Sequence, residues 1–260
     1  MERLPASWYQ AIFIRKSSRT FHPRRPEEDK IVRLEALCRD FRPFPGARAE
    51  LVRRRPDDVF RGLVGAYGRI TGASYYIAFV GTEGAPHVEE AVGYVGEALV
   101  LEATILGLGT CWVSGFFRPA AVRRDLALPE GDRVFAVTPL GYAERTPSLK
   151  DRLFRRFAGS AKRRPLEEIV TGDLAAPWQR KAVEAARLAP SAANRQPWRF
   201  AAAPGSVTVR TDGAKDSDRY PKRLDCGIAM VHVAVGAQEA GAAGRWTLLE
   251  APDVARFDVP

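Results

Sequence analysis

Three short segments of the chain place chemically capable side chains at close spacing. The first is Ile14-Arg15-Lys16-Ser17-Ser18-Arg19-Thr20-Phe21, with three cations and two hydroxyls inside five residues. Guanidinium, ammonium and hydroxyl donors at that density can hold an anion through charge-assisted hydrogen bonds, and a phosphate is the natural ligand. A solvated basic surface is the structural alternative. The second is Ala189-Pro190-Ser191-Ala192-Ala193-Asn194-Arg195-Gln196-Pro197-Trp198. Pro190 ends a helix, and the loop presents Ser191, Asn194 and Gln196. Carboxamides both donate and accept, as a flat heterocycle with alternating carbonyls and ring nitrogens requires. Their alternative use is to satisfy the loop's own backbone. The third is Gly107-Leu108-Gly109-Thr110-Cys111-Trp112-Val113-Ser114-Gly115-Phe116, whose glycines let the backbone approach a ligand closely. It is neither GxGxxG nor GxxxxGK[ST], so Rossmann and P-loop chemistry are unsupported. Ser114 is not in GxSxG and has no histidine–carboxylate partner, which excludes a serine hydrolase of that type. Cys111, with no histidine nearby, reads as core.

The elements that must position these residues belong to a chain of 260 residues, 46% apolar and 27% charged. That length buries a core without disulfides or metal staples. Cys38, Cys111 and Cys226 form no CxxC pair, so a reduced, cytoplasmic setting is expected. His22, His87 and His232 are far apart in sequence, so no metal site is expected. The longest uncharged stretch, 103–117, holds three glycines and falls short of the roughly 18 residues of a membrane span. The formal net charge is +9, with 33 Arg against 7 Lys. This favours anionic partners, yet the arginines are spread along the chain and mark no dedicated nucleic-acid surface.

Periodicity predicts helices over 7–15, 27–38 and 89–106, and strands over 75–80 and 134–142. The helix 89–106 is apolar nearly all round, with only Glu97 and Glu102 charged inside it, so it should be buried. A basic connector at 149–165 follows, with Lys150, Arg152, Arg155, Arg156, Lys162, Arg163 and Arg164. Beyond it come a helix over 177–188, strands over 198–203 and 207–211, a helix over 227–240 and a strand over 246–250. Gly93–Trp112 and Gly227–Trp246 echo each other at an offset of 134: Gly93 meets Gly227, Ala103 meets Ala237, Gly107 meets Gly241, and Trp112 meets Trp246. The expectation is an α+β layered protein of two related halves, 1–148 and 166–260, joined by the connector.

Taken together, IRKSSRTF (14–21), GLGTCWVSGF (107–116), PLGYAE (139–144) and APSAANRQPWRF (189–200) resemble the nitroreductase family of flavoproteins. The resemblance implies an α+β nitroreductase-like fold and FMN held between two subunits. Here each half lacks what the other keeps: DFRPFPGAR (40–48) stands where the first half's loop should be, and EEIVTGDLAAP (167–177) where the second half's basic motif should be. The implied form is a fused pseudo-dimer with a single composite FMN site, monomeric as a chain. By resemblance Arg15, Lys16, Ser17 and Arg19 hold the phosphate and ribityl chain, with Lys150 and Arg152 completing that site. Backbone groups of Ser114 and Gly115 face the flavin near N5. Pro190, Ser191, Ala192, Asn194 and Gln196 line the ring. Many relatives carry an acidic residue where Ser114 stands, which leaves substrate preference open. The implied activity is that of an oxidoreductase, with hydride transfer from NAD(P)H through flavin N5 to a nitroaromatic or quinone-like small-molecule acceptor. Neither nucleic acid nor membrane is an expected partner. A different flavin reaction on the same scaffold, such as fragmentation or dehalogenation, and a non-catalytic flavin-binding protein are the alternatives.

Overall fold

The computed structural model describes residues 3–61, 69–144, 162–213, 215–217 and 220–260. The fold is α+β. In the first half, α1 (Ser7–Ile14) and α2 (Glu28–Asp40) precede β1 (Ala47–Val52), β2 (Tyr75–Thr82), the long helix α3 (Val88–Ile105), α4 (Pro119–Leu126) and β3 (Asp132–Leu140). The second half contains α5 (Leu166–Ile169), β4 (Val170–Thr171), α6 (Pro177–Arg187), β5 (Trp198–Ala203), β6 (Ser206–Thr211), the long helix α7 (Lys222–Glu239), β7 (Arg245–Leu248) and β8 (Asp253–Asp258).

Two sheets flank a pair of buried helices. The first sheet runs β1-β2-β3, antiparallel throughout, and Val113 adds an antiparallel bridge to Val137 on β3. The second runs β4-β5-β6-β8-β7, with only β4 parallel to its neighbour. Side-chain alternation explains how β2 serves two cores. Ile77 and Phe79 face the central helices, while Tyr76, Ala78 and Val80 pack with Val113, Val122 and Val137 on the opposite face. The main core crosses the whole chain, from Leu4 and Trp8 through α3 and α7 to Phe257. It therefore spans the boundary expected between the halves. Cys38, Cys111 and Cys226 are free and buried, Cys38 and Cys226 within this core.

The two long helices set this architecture. Each has 18 residues, and their bounds differ by the same offset of 134. They cross where glycine removes the side chain. A Cβ on Gly93 would lie 2.1 Å from the Leu224 carbonyl oxygen, and one on Gly227 would lie 2.1 Å from the Glu90 carbonyl oxygen. Residue 90 stands to 224 as 93 stands to 227, so the contact is reciprocal. The helix α7 begins at Lys222, ahead of the start expected from its apolar run. Its first turn carries Lys222, Arg223 and Asp225, polar residues that fold inward onto partners. Lys222 pairs with Asp212 at 2.5 Å, and Arg223 donates to the buried Glu90 of α3 from Nε at 2.9 Å and from Nη2 at 2.5 Å.

Strands β1 and β8 and the helix α4 were not evident from periodicity alone. In β1, Arg48 and Glu50 alternate with buried Ala47 and Ala49, and Arg48 bonds Glu50 and Asp132 at 2.8 and 2.6 Å.

On intrinsic propensity, Gly→Ala inside a helix gains about 1 kcal/mol. At this crossing the new methyl would strike backbone, which cannot swing aside as a flexible side chain can. Gly93→Ala and Gly227→Ala are each expected to lower stability by about 2–3 kcal/mol, measured by urea unfolding. A gain in either variant would show that the helices separate at no cost.

Candidate functional site

The basic segment 15–19 leaves α1 in extended conformation and runs beside the glycine turn. Ser17 forms a parallel bridge with Thr110, and the Ser18 N–H donates to the Thr110 carbonyl at 2.8 Å. Gly109 donates to Gly141 at 2.7 Å, while Phe21 bridges Ala143. Gly109 leaves no spare room in this weave: a Cβ there would sit 3.0 Å from that of Ala143 and 3.1 Å from that of Ser18. Three of the four segments singled out in the sequence, 14–21, 107–116 and 139–144, are thus stitched together by backbone bonds. Arg15, Ser17 and Arg19 are half-buried, and Lys16 is exposed. Ser114 and Gly115 follow the Val113–Val137 bridge, with Gly115 in the left-handed region at φ 75°. Lys150 and Arg152 lie outside the described residues, as does most of the basic connector.

The fourth segment is a tight loop after α6. Ala193, Asn194 and Gln196 all adopt positive φ (50°, 54° and 50°), an arrangement that side-chain-bearing residues hold only when their surroundings impose it. Those surroundings are visible. The Gln196 N–H donates to Ser191 Oγ at 2.9 Å. Asp225, buried in the first turn of α7, accepts from the Ala192 N–H at 3.2 Å and from Arg195 Nε at 2.8 Å. Burial pushes the Asp225 carboxyl up to about 6, against the opposing pull of Arg195 and the Ala192 N–H. Asp225 is the loop's anchor, and no spacing rule in the sequence pointed to it.

Asn194 and Gln196 use their amides on the chain itself. Asn194 Oδ1 accepts from Arg163 Nη1 at 3.0 Å, and its Nδ2 donates to the Lys162 carbonyl at 3.0 Å. Gln196 Oε1 accepts from the Arg164 N–H at 2.9 Å, and its Nε2 donates to the Lys162 carbonyl at 3.2 Å. These two side chains clamp the segment 162–164 against the loop. Both amides are thus spent on the preceding segment, on the Lys162 carbonyl, the Arg163 guanidinium and the Arg164 N–H.

That clamp fixes Arg163 beside the loop. Arg163 reaches from Asn194 toward the first half. Its guanidinium pKa is drawn below the ordinary value by burial first, then by the charges of Arg15 and Arg187. Arg15 is nine-tenths buried at its side chain, and its Nε finds no hydrogen-bond partner among the described residues. The Glu97 carboxylate lies 3.8 Å away. Arg187 Nε, at the end of α6, is likewise buried without a hydrogen bond among them. Two buried guanidinium donors, Arg15 Nε and Arg187 Nε, are thus without a hydrogen bond among the described residues, and the charges of both bear on Arg163; like charges brought together are costly unless an anion joins them. Arg187 and Asp225 escaped the sequence reading, and Arg163 entered it only as part of the basic connector, because their relevance arises only from tertiary proximity. Among the described residues no cluster of His, Cys, Asp and Glu could hold a metal ion, and no helix is long and apolar enough to cross a membrane.

No curated protein matches the chain. A crystal structure from Thermotoga maritima, described as a "putative nitroreductase", superposes with TM-score 0.65 at 23% identity, covering 100% of this chain and 97% of that one. A nitroreductase family protein from Clostridium novyi NT is 23% identical with TM-score 0.45, covering 56% of this chain and 88% of its own. Another from Clostridium difficile 630 is 20% identical with TM-score 0.46, covering 66% and 99%. The family model described as "Putative TM nitroreductase" matches residues 7–237, most of the chain, so the protein belongs to this family of oxidoreductases.

Proposed function

We propose that the chain is an FMN-dependent NAD(P)H oxidoreductase with one composite cofactor site per chain, reducing a small nitroaromatic or quinone-like acceptor. The observation that carries this reading is the buried Arg15 side chain of the first half, whose charge bears on Arg163, the connector residue that Asn194 of the second half holds at 3.0 Å. The buried, unbonded Arg15 Nε is a donor of the kind a phosphate oxygen would satisfy, so the residues present fit FMN.

Bound FMN would supply the two-electron chemistry through its N5. The chain's own residues do the rest. Arg15, Ser17 and Arg19 would bind the phosphate and ribityl end, with Arg163 completing the cationic lining. The backbone at Ser114 and Gly115, turned by the positive φ of Gly115, would lie along the ring. The loop 190–196 would close the opposite side with Pro190, Ser191 and Ala192. Asn194 and Gln196 act from behind, holding 162–164 in place. The cations would also favour an anionic reduced state of any ring stacked among them.

Fusion of two related halves is part of the proposal. It is supported by the equal length and fixed offset of α3 and α7, and by their reciprocal glycine contact, the form an isologous two-fold interface takes. The order β1-β2-β3 plus the Val113 bridge has its counterpart in β5-β6-β8-β7. The chain would then work as a monomer in the cytoplasm, without nucleic acid or membrane.

Purified protein is expected to bind one FMN per chain, counted from flavin absorbance against protein, and to bleach with NADH or NADPH without oxygen; two flavins per chain would refute the composite site. Arg15→Ala should weaken FMN about 10- to 100-fold, the value of one or two charge-assisted hydrogen bonds, measured by quenching of flavin fluorescence.

Asp225 gives a pH signature. Its folded pKa of about 6 exceeds the ordinary carboxyl value of 3.8, so the folded chain binds more protons than the unfolded one between these values. Its contribution to unfolding free energy therefore falls as pH rises from about 4 to about 6, by on the order of 2–3 kcal/mol, and is flat above. Comparing wild type with Asp225→Asn by denaturant unfolding at pH 4, 5, 6 and 7 should show that difference narrowing and then levelling. A difference independent of pH would place the carboxyl's titration elsewhere.

A further inference from the structure

Glu97 and His232 are both wholly buried, and they meet where α3 crosses α7. His232 Nε2 lies 3.0 Å from Glu97 Oε1, and His232 Nδ1 lies 3.0 Å from the Ala185 carbonyl oxygen on α6. Both ring nitrogens thus face oxygen acceptors. A carbonyl oxygen cannot donate, so Nδ1 carries a proton. The contact between Nε2 and the carboxylate then needs a second proton, on one side or the other, since two lone pairs would repel. The pair as a unit is therefore neutral, and its hydrogen bond is held away from water. The other Glu97 oxygen accepts from Trp112 Nε1 at 2.7 Å. The carboxylate is gripped from both sides by rigid rings, and Oε1 is the atom that stands 3.8 Å from Arg15 Nε.

We propose that Glu97 and His232 form a positioning pair for Arg15: His232, from the second half, orients a first-half carboxylate that holds the Arg15 guanidinium in register for an anionic group. This rests on the reading of Arg15 as a phosphate ligand and assigns that ligand a support from across the helix crossing. The need for a support is one of position: Arg15 is a long side chain whose charge bears on Arg163, and an oxygen fixed by two rigid rings limits the directions its guanidinium can take. The 3.8 Å separation suits the role, because Arg15 is restrained while its Nε stays available as a donor. The arrangement occurs at one end only. At the offset of 134, Val231 stands opposite Glu97 in the echo and Ala98 stands opposite His232.

The test is a double-mutant cycle on the full chain freed of flavin, read as the dissociation constant of FMN by fluorescence quenching, with thermal stability recorded alongside. Arg15→Ala and Glu97→Gln should each weaken FMN about tenfold or more, and Glu97→Gln should add less than about threefold once Arg15 is alanine. Factors that multiply in the double variant would show that Glu97 acts on the fold and not through Arg15, overturning the inference while leaving the cofactor site intact. Unchanged affinity in Arg15→Ala would instead overturn the phosphate assignment itself, and this inference with it. Should Glu97→Gln not fold, the same cycle with His232→Gln carries the same expectation: an effect on FMN that vanishes in the Arg15→Ala background.

Discussion

The crossing of two buried helices governs this molecule. At Gly93 and Gly227 the backbones of α3 and α7 approach so closely that a single methyl would overlap a carbonyl oxygen of the opposite helix. Helices packed that tightly lose water on almost every face, yet α3 carries three buried acids, Glu90, Glu97 and Glu102. Each is answered from another element. Glu90 takes Arg223 of α7; Glu97 takes His232 of α7 and Trp112; Glu102 takes the Trp8 indole of α1 at 2.7 Å and the guanidinium of Arg33 on α2. Hydrophobic packing alone would let the helices slide by a turn at modest cost. A buried carboxylate left without its partner is far more expensive, so these three acids pin the register.

The same logic runs in reverse at the candidate site. There the excess charge is positive, and the loop 189–196 is forced into an uncommon backbone by contacts around it. Asp225 and Arg195 settle each other's charge, and Asp225 also takes the Ala192 N–H. The Nε atoms of Arg15 and Arg187 are buried without a hydrogen bond among the described residues. Buried guanidinium nitrogens left in this way suit the anionic group proposed for the site.

How much of this was legible in the sequence depends on which interaction shaped each element. The long helix α3 declared itself through an apolar surface on all sides, and β2 and β3 through β-branched and aromatic runs. The start of α7 did not, because Lys222, Arg223 and Asp225 look like a solvated turn until Asp212, Glu90 and Arg195 are seen beside them. The strand β1 was hidden by Arg48 and Glu50, whose charges suit a sheet edge and mask the alternation. At the site, Arg15, Ser17 and the 189–196 loop stood out through local density of donors. Glu97 was visible only as a charge in an apolar helix, and His232 only as an isolated histidine. Their pairing joins residues far apart in the chain, and no local pattern encodes it.

That pairing also explains how a nearly symmetric backbone can support an unsymmetric chemistry. The helix crossing repeats itself under the offset of 134, so each half offers its partner the same geometry. The side chains do not repeat. A carboxylate at 97 faces a histidine at 232, whereas the echoed positions, 231 and 98, hold valine and alanine. An arginine placed at the second end would find cost without compensation, buried near apolar groups, with no fixed carboxylate to hold it. The basic motif stands at the end where the support exists. On the proposed reading, two related scaffolds would reduce to one pocket, and the choice between them would be made in the interior, one helix turn from the crossing, before any cofactor contact is considered.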